Sequence, residues 1–361
     1  MADTDAGAAP DQLPGVPHPR EQQALFGHDE AEQAFLEGWR AGRLHHAWLI
    51  GGPEGIGKAT LAYRMARFLL AGGSRQPAEA KSLAIPADHP VARQVAAQSH
   101  PDLAIVRRGL RKDGKGYSAE ISVGDVRRGL GLFASGAGAG GYRVCIVDST
   151  DDLNASSANA LLKLVEEPPA RSVFLIVSHA PQRVLPTIRS RCRRLQLRAL
   201  EEASLRAALR SLGPTWAELD EARLGRAAAL GEGSVRRALQ MLDEDAAGLV
   251  DEVSALLEAL PRVDGKRVLA LAERLSRRGA EDALDLTLDT VSRWASGQLE
   301  TKAATGAARL APLVEVCEKV ARAASEVDEY NLDRRPLVLS MFGDLAEAVG
   351  RTMEPKPQQL A

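Results

Sequence analysis

Gly52-Pro-Glu-Gly-Ile-Gly-Lys-Ala59 is the stretch whose reading decides the fold. It follows the phosphate-binding loop pattern, Gly-x-x-x-x-Gly-Lys-Ser/Thr, up to its last position. Before it, His46-Ala-Trp-Leu-Ile50 is a short apolar run suited to a buried strand. After it, Thr60 to Leu70 places its apolar residues at helical spacing. A strand, a glycine-rich turn and a helix N-terminus together aim backbone N–H groups and favourable potential at an anion. Gly52, Gly55 and Gly57 supply the turn, and Lys58 reaches toward terminal phosphates. The next position ordinarily carries a hydroxyl for magnesium, and here it is Ala59. Thr60 joins the site but does not take that place, because one step along a helix rotates a side chain by roughly 100°. The expectation is a site that cradles a nucleotide and is poorly equipped to use its metal.

The 361 residues give room for two or three domains, and 45% apolar with 26% charged residues places the chain among soluble globular proteins. Aromatic residues are only 4% while Ala, Leu and Arg abound, which favours helix. The formal net charge of -2 gives no overall field toward nucleic acid, so such a contact needs a local patch or an assembly. Cys145, Cys192 and Cys317 are far apart, with no disulfide framework and no metal spacing. His45 and His46 are adjacent and are expected to point apart on a strand. Zinc is not expected. The acidic N-terminus lacks the apolar core of a signal peptide, and no apolar run is long enough for a bilayer. A cytoplasmic location without a membrane partner is expected.

Along the chain, residues 1–20 read as a disordered tail rich in Ala, Asp, Pro and Gly. Strands are expected at Asp102 to Arg107, Tyr142 to Asp148 and Ser172 to Ser178, and helices near Asp125 to Phe133 and over Ala155 to Glu167. Residues 73–100 give no clear element. Pro168-Pro169 ends the helix before it. Ser135-Gly-Ala-Gly-Ala-Gly-Gly141 precedes a strand instead of following one, so it reads as a flexible loop. Strands that alternate with helices and run apolar throughout indicate a parallel sheet covered on both faces. After residue 198 the strand signals vanish; residues 200–245 read as short helices and 246–350 as longer amphipathic ones, with a fraying end at 353–361. Arg107, Arg108, Arg111, Lys112 and Lys115, followed by Arg127 and Arg128, read as a solvated basic face.

A nucleotide hydrolase needs an acid at a strand end for the metal shell and a base that orients the attacking water. Asp148 fits the first role, but its neighbour is Ser149, which cannot take a proton from water unaided. Asp151 and Asp152 lie further along the turn, where Asp152 or Asn154 suits a helix cap better than a base. Two groups that hydrolysis requires are therefore missing.

Asn159-Ala-Leu-Leu-Lys-Leu-Val-Glu-Glu-Pro-Pro169 and Leu185-Pro-Thr-Ile-Arg-Ser-Arg-Cys192 closely resemble the clamp-loader branch of the AAA+ ATPases, as do Leu25-Phe-Gly-His28 and Arg43 to Trp48. The resemblance is dense over residues 20–198 and thinner to 245. It implies an α/β AAA+ module over 21–198, a small helical lid over 199–245, and an all-α collar over 246–352 through which subunits join in a ring. It implies a hetero-pentamer with gamma/tau and delta subunits that loads a sliding clamp on primer-template DNA during replication. The arginine of Ser-Arg-Cys, here Arg191, is implied to act as an arginine finger in a neighbour's ATP site. Ser178 matches a polar sensor position and Arg236 the lid arginine that senses phosphate. The degenerate site would then hold ATP or ADP weakly or as a relic. Relatives often carry a four-cysteine zinc module in the region of 73–100, where this chain has no cysteine. Two other readings stay open: an ATP-hydrolysing subunit of the same machine, and a nucleotide-sensing AAA+ regulator.

Overall fold

The computed structural model describes residues 12–13, 15–72, 79–111, 116–134, 141–301, 307–330 and 332–353. Most of the expected tail, Lys112 and Lys115, the loop residues 135–140 and the end beyond 353 lie outside the described residues. The chain divides into two compact units, Met1–Gln240 and Met241–Ala361.

The first unit opens with α1 (Asp29–Arg40), β1 (Ala47–Gly51), α2 (Lys58–Leu70) and α3 (Pro90–Ala96). It continues with β2 (Leu103–Val106), α4 (Val123–Leu130), β3 (Arg143–Val147), α5 (Ala155–Glu166), β4 (Ser172–Ser178), α6 (Pro186–Arg189) and β5 (Arg193–Gln196). The five strands pair in the order β2-β3-β4-β1-β5, and every pairing is parallel. Parallel strands need crossovers, and helices supply them, covering both faces. Alternate residues of β1, β3 and β4 serve opposite cores. Trp48, Ile50, Ile146, Leu175 and Val177 pack with α1 and α2. Ala47, Leu49, Cys145, Phe174 and Ile176 pack with α4, α5 and α6. The inner strands β1, β3 and β4 are therefore buried on both faces and read as apolar runs, whereas the edge strand β5 is mostly exposed.

Local signals set the helix ends. Asn154 caps α5, its side chain accepting from the Ser157 N–H at 3.0 Å. Ser122 and Asp125 form a capping box on α4. The stretch with no clear element, 73–100, contains α3, which starts at a proline and is capped by the His89 ring. His45 and His46 precede β1 and do not point apart: their rings stack with centroids 4.5 Å apart. Each has its own anchor, the Ala47 N–H for His45 and the Val165 carbonyl for His46, and these bring the rings together.

Beyond β5 come α7 (Glu202–Arg210), α8 (Pro214–Ala217), α9 (Glu221–Gly231) and α10 (Val235–Gln240), without further strands among the described residues. Gly231 lets α9 approach α10, since a Cβ there would stand 2.6 Å from that of Ala238. These helices form one compact unit with the sheet module.

The second unit holds α11 (Glu244–Glu258), α12 (Gly265–Leu275), α13 (Glu281–Thr301), α14 (Ala307–Tyr330) and α15 (Arg334–Met353). Its core includes Val253, Leu257, Leu271, Leu275, Met341 and Leu345. Lys319 pairs with Asp344 at 2.7 Å and Arg334 with Glu281 at 2.8 Å, tying α15 to α14 and α13. None of the described helices is long and apolar enough to cross a membrane.

Candidate functional site

The loop between β1 and α2 is shaped by its glycines. Gly57 caps α2 at φ 102, and Gly55 sits at φ 73, both conformations that favour glycine. A Cβ on Gly55 would stand 2.3 Å from the Ser234 Oγ and 2.6 Å from the Arg236 Cβ, so the start of α10 rests directly on the loop. The Val235 N–H donates to the Gly55 carbonyl at 2.9 Å. From the other side the buried His28 ring hydrogen-bonds the Ile56 carbonyl at 2.7 Å. Burial holds the His28 pKa below its ordinary value, so the ring is a neutral donor to that oxygen.

A cavity opens in front of this loop. Gly55, Gly57, Lys58, Ala59, Thr60, Asp148 and Arg236 of the expected site line it; Gly52, Ser178 and Arg191 do not. Gly52 lies just behind, where a Cβ would meet the Leu197 carbonyl oxygen at 2.5 Å. Lys58 is 3% exposed and donates to the Pro53 carbonyl. Burial pulls its pKa down to about 8, against the attraction of Glu54, Asp148 and Asp151. Arg236 pairs with Glu54 of the loop at 3.3 Å. This pair ties the start of α10 to the loop.

The acids have separate tasks. Asp148 directly follows β3 and lines the cavity. Asp151 accepts from the Ser178 Oγ at 3.1 Å, the His179 N–H at 2.7 Å and the Ala180 N–H at 2.9 Å. With its lone pairs so engaged it fastens the end of β4, and the Ser178 hydroxyl proton points at it. Asp152 lies 3.6 Å from Arg108, and the Ser149 Oγ donates to it at 3.4 Å. Magnesium finds a poor donor set here. Ala59 offers no oxygen, and no group of three or more metal-ligating side chains exists among the described residues. Cys145 and Cys192 are held as thiols, pushed up to about 12 by burial.

Three features were illegible in the sequence. Residues 12–13 and 15–26 run along the cavity, with Leu13, Val16 and His18 among its walls. It is held by two arginines on α2: Arg67 donates to the Arg20 carbonyl at 2.7 Å and the Gln22 carbonyl at 2.5 Å, and Arg64 donates to the Gln23 carbonyl. Within the stretch expected as a tail, His18 is buried and sits edge-on to Tyr63, with ring centroids 5.7 Å apart. Arg107, expected on a solvated face, is half-buried and lines the same cavity.

Burial, then Arg20 and Arg107, lower the His18 pKa to about 3. Its Nδ1 accepts from the Arg20 N–H at 3.0 Å, as a neutral ring does. The unfolded chain takes up a proton near pH 6.5 and the native chain does not, so His18 costs stability as pH falls from 6.5 toward 3. Between pH 7 and 5 this removes about 2 kcal/mol. The urea midpoint is expected to fall over that range, and less so in His18→Asn; equal pH dependence in both chains refutes the assignment.

Arg191 lies elsewhere. Its guanidinium pairs with Glu166 at 2.9 Å and donates to the Thr187 carbonyl at 2.9 Å. It precedes β5, whose first residue Arg193 pairs with Trp48, whereas the loop begins after Gly51, opposite Gln196. About 10 Å of paired strand therefore separates the two ends.

Residues 27–201 match the family model described as DNA polymerase III, delta subunit. A delta' subunit of DNA polymerase III from Pseudomonas aeruginosa is 37% identical over 147 residues, covering 41% of this chain and 41% of that one. Residues 27–201, just under half of the chain, thus resemble the delta-prime/clamp-loader subunits of DNA polymerase III. The tau subunit from Escherichia coli is 30% identical over 281 residues, covering 71% of this chain and 40% of that one. The chain thus spans about two fifths of the length of these two relatives. Among solved structures, a gamma subunit-related protein from Thermotoga maritima is 17% identical with a TM-score of 0.37, covering 87% of this chain and 99% of that one, and at that score the likeness carries no argument.

Proposed function

We infer that this chain is a member of the clamp-loader family, the delta-prime subunit of a DNA polymerase III clamp-loader complex. It braces the ring without hydrolysing ATP and offers Arg191 to the ATP site of a neighbouring gamma/tau subunit while the clamp is loaded on primed DNA. The observation that carries this is the separation of Arg191 from the chain's own loop: the two stand at opposite ends of β1 and β5. An arginine there reaches a γ-phosphate only on another chain, and such an arginine stabilises the charge of phosphoryl transfer. Ala59 and Ser149 support the non-hydrolysing half of the reading. A delta subunit, the clamp and primer-template DNA are the further partners this role implies, in the cytoplasm.

With ATPase-competent clamp-loader subunits, Lys58→Ala is expected to leave DNA-stimulated turnover within about twofold, since the lysine serves no reaction of its own. A tenfold loss would make this chain's loop a hydrolytic site and favour the gamma/tau-like reading. ATP hydrolysis by the isolated chain would do the same.

A further inference from the structure

The cavity before Lys58 lacks the hydroxyl that magnesium needs, yet it holds a cation that the loop pattern does not call for. Arg107 follows β2 and lines the cavity together with Lys58 and Arg236. Its Nη1 is withdrawn from solvent with no hydrogen-bond partner among the described residues, and its Nη2 makes a single long bond of 3.5 Å to Gln98. A buried guanidinium N–H left unmet is costly, and a turn of the side chain toward an anion in the cavity it lines would remove that cost. The neighbouring carboxylates are otherwise engaged: Glu54 faces Arg236, and Asp151 holds the end of β4.

We propose that this cavity binds the polyphosphate of a nucleoside di- or triphosphate without a divalent metal, with Arg107 supplying the positive charge that magnesium supplies in hydrolysing sites. The inference rests on the non-hydrolysing reading of the site and explains its consequence. A guanidinium pairs with two phosphate oxygens at once. It does not carry the coordinated shell that a metal brings to phosphoryl transfer, so the ligand stays bound and unreacted. The loop N–H groups and Lys58 cradle the terminal phosphates, and Arg236 can exchange Glu54 for phosphate.

The test is equilibrium binding of ADP and ATP to the full chain by calorimetry, in EDTA and in magnesium. The dissociation constants in the two buffers are expected to agree within twofold. In EDTA, Arg107→Gln is expected to weaken binding at least tenfold, with the far-UV spectrum and melting temperature of the ligand-free chain unchanged. Magnesium that tightens wild-type binding tenfold overturns the proposal, as does the absence of binding in EDTA; neither result depends on how the variant folds. A well-folded Arg107→Gln that binds like wild type overturns the role of Arg107. Phosphate release from the chain alone in magnesium would instead refute the non-hydrolysing reading, so the two failures are distinct.

Discussion

Arg191→Ala, assembled with ATPase-competent clamp-loader subunits, is expected to slow single-turnover ATP cleavage at the facing site by about 10³-fold or more. The size follows from the chemistry. A guanidinium at the γ-phosphate meets charge that grows in the transition state, so its loss falls on the rate of cleavage and not on nucleotide affinity. The Arg191–Glu166 pair does not oppose this. Both side chains are about two fifths exposed, at 40% and 38%. An exposed pair of this kind is worth roughly 0–1 kcal/mol, which a phosphate contact exceeds. Arg191→Lys keeps the charge but loses the planar fork, and recovers little of the rate. Steady-state turnover falls less if other sites fire independently, which makes single-turnover measurement decisive. Gel filtration must show the complex intact. An unchanged rate in an intact complex reduces Arg191 to a surface residue and leaves the chain a bracing role.

Removal of residues 241–361 is expected to abolish assembly into the ring while the first unit stays folded. The cut falls at the boundary between two compact units. Both cores of the sheet module are built from residues up to Leu197. The second unit exposes Leu269, Val314, Leu332 and Leu339, apolar groups of the kind that subunit contacts bury. The truncated chain should keep a cooperative urea transition and fail to co-elute with its partners at any concentration that assembles the full chain. A truncated chain that enters the complex would move the assembly surface to the first unit.

The sequence by itself determined the parts whose cause is local. Ser172 to Ser178 is apolar between its two terminal serines, is buried throughout and forms β4 with the bounds expected. The loop with Lys58 lies between strand and helix because glycine conformation and apolar periodicity are properties of neighbouring residues. The loss of a metal ligand at Ala59 needed no structure either. Only tertiary structure decided what depends on distant partners. Arg193 to Gln196 has one buried residue, Leu195, and no apolar run; it is a strand because β1 offers it an edge. Arg64 and Arg67 read as part of an ordinary amphipathic helix, but both are buried, with carbonyls of residues 20–23 to receive them. Glu54 and Arg236 meet only when α10 folds onto the loop, and no local pattern announces that pair. Arg107 belonged in the sequence to a run of exposed-looking charges, and folding turned it toward the cavity. The rule behind the division is physical. Backbone preference and periodicity act over a few residues, whereas the pairing of a charge is set by whatever the fold places within a few ångströms of it.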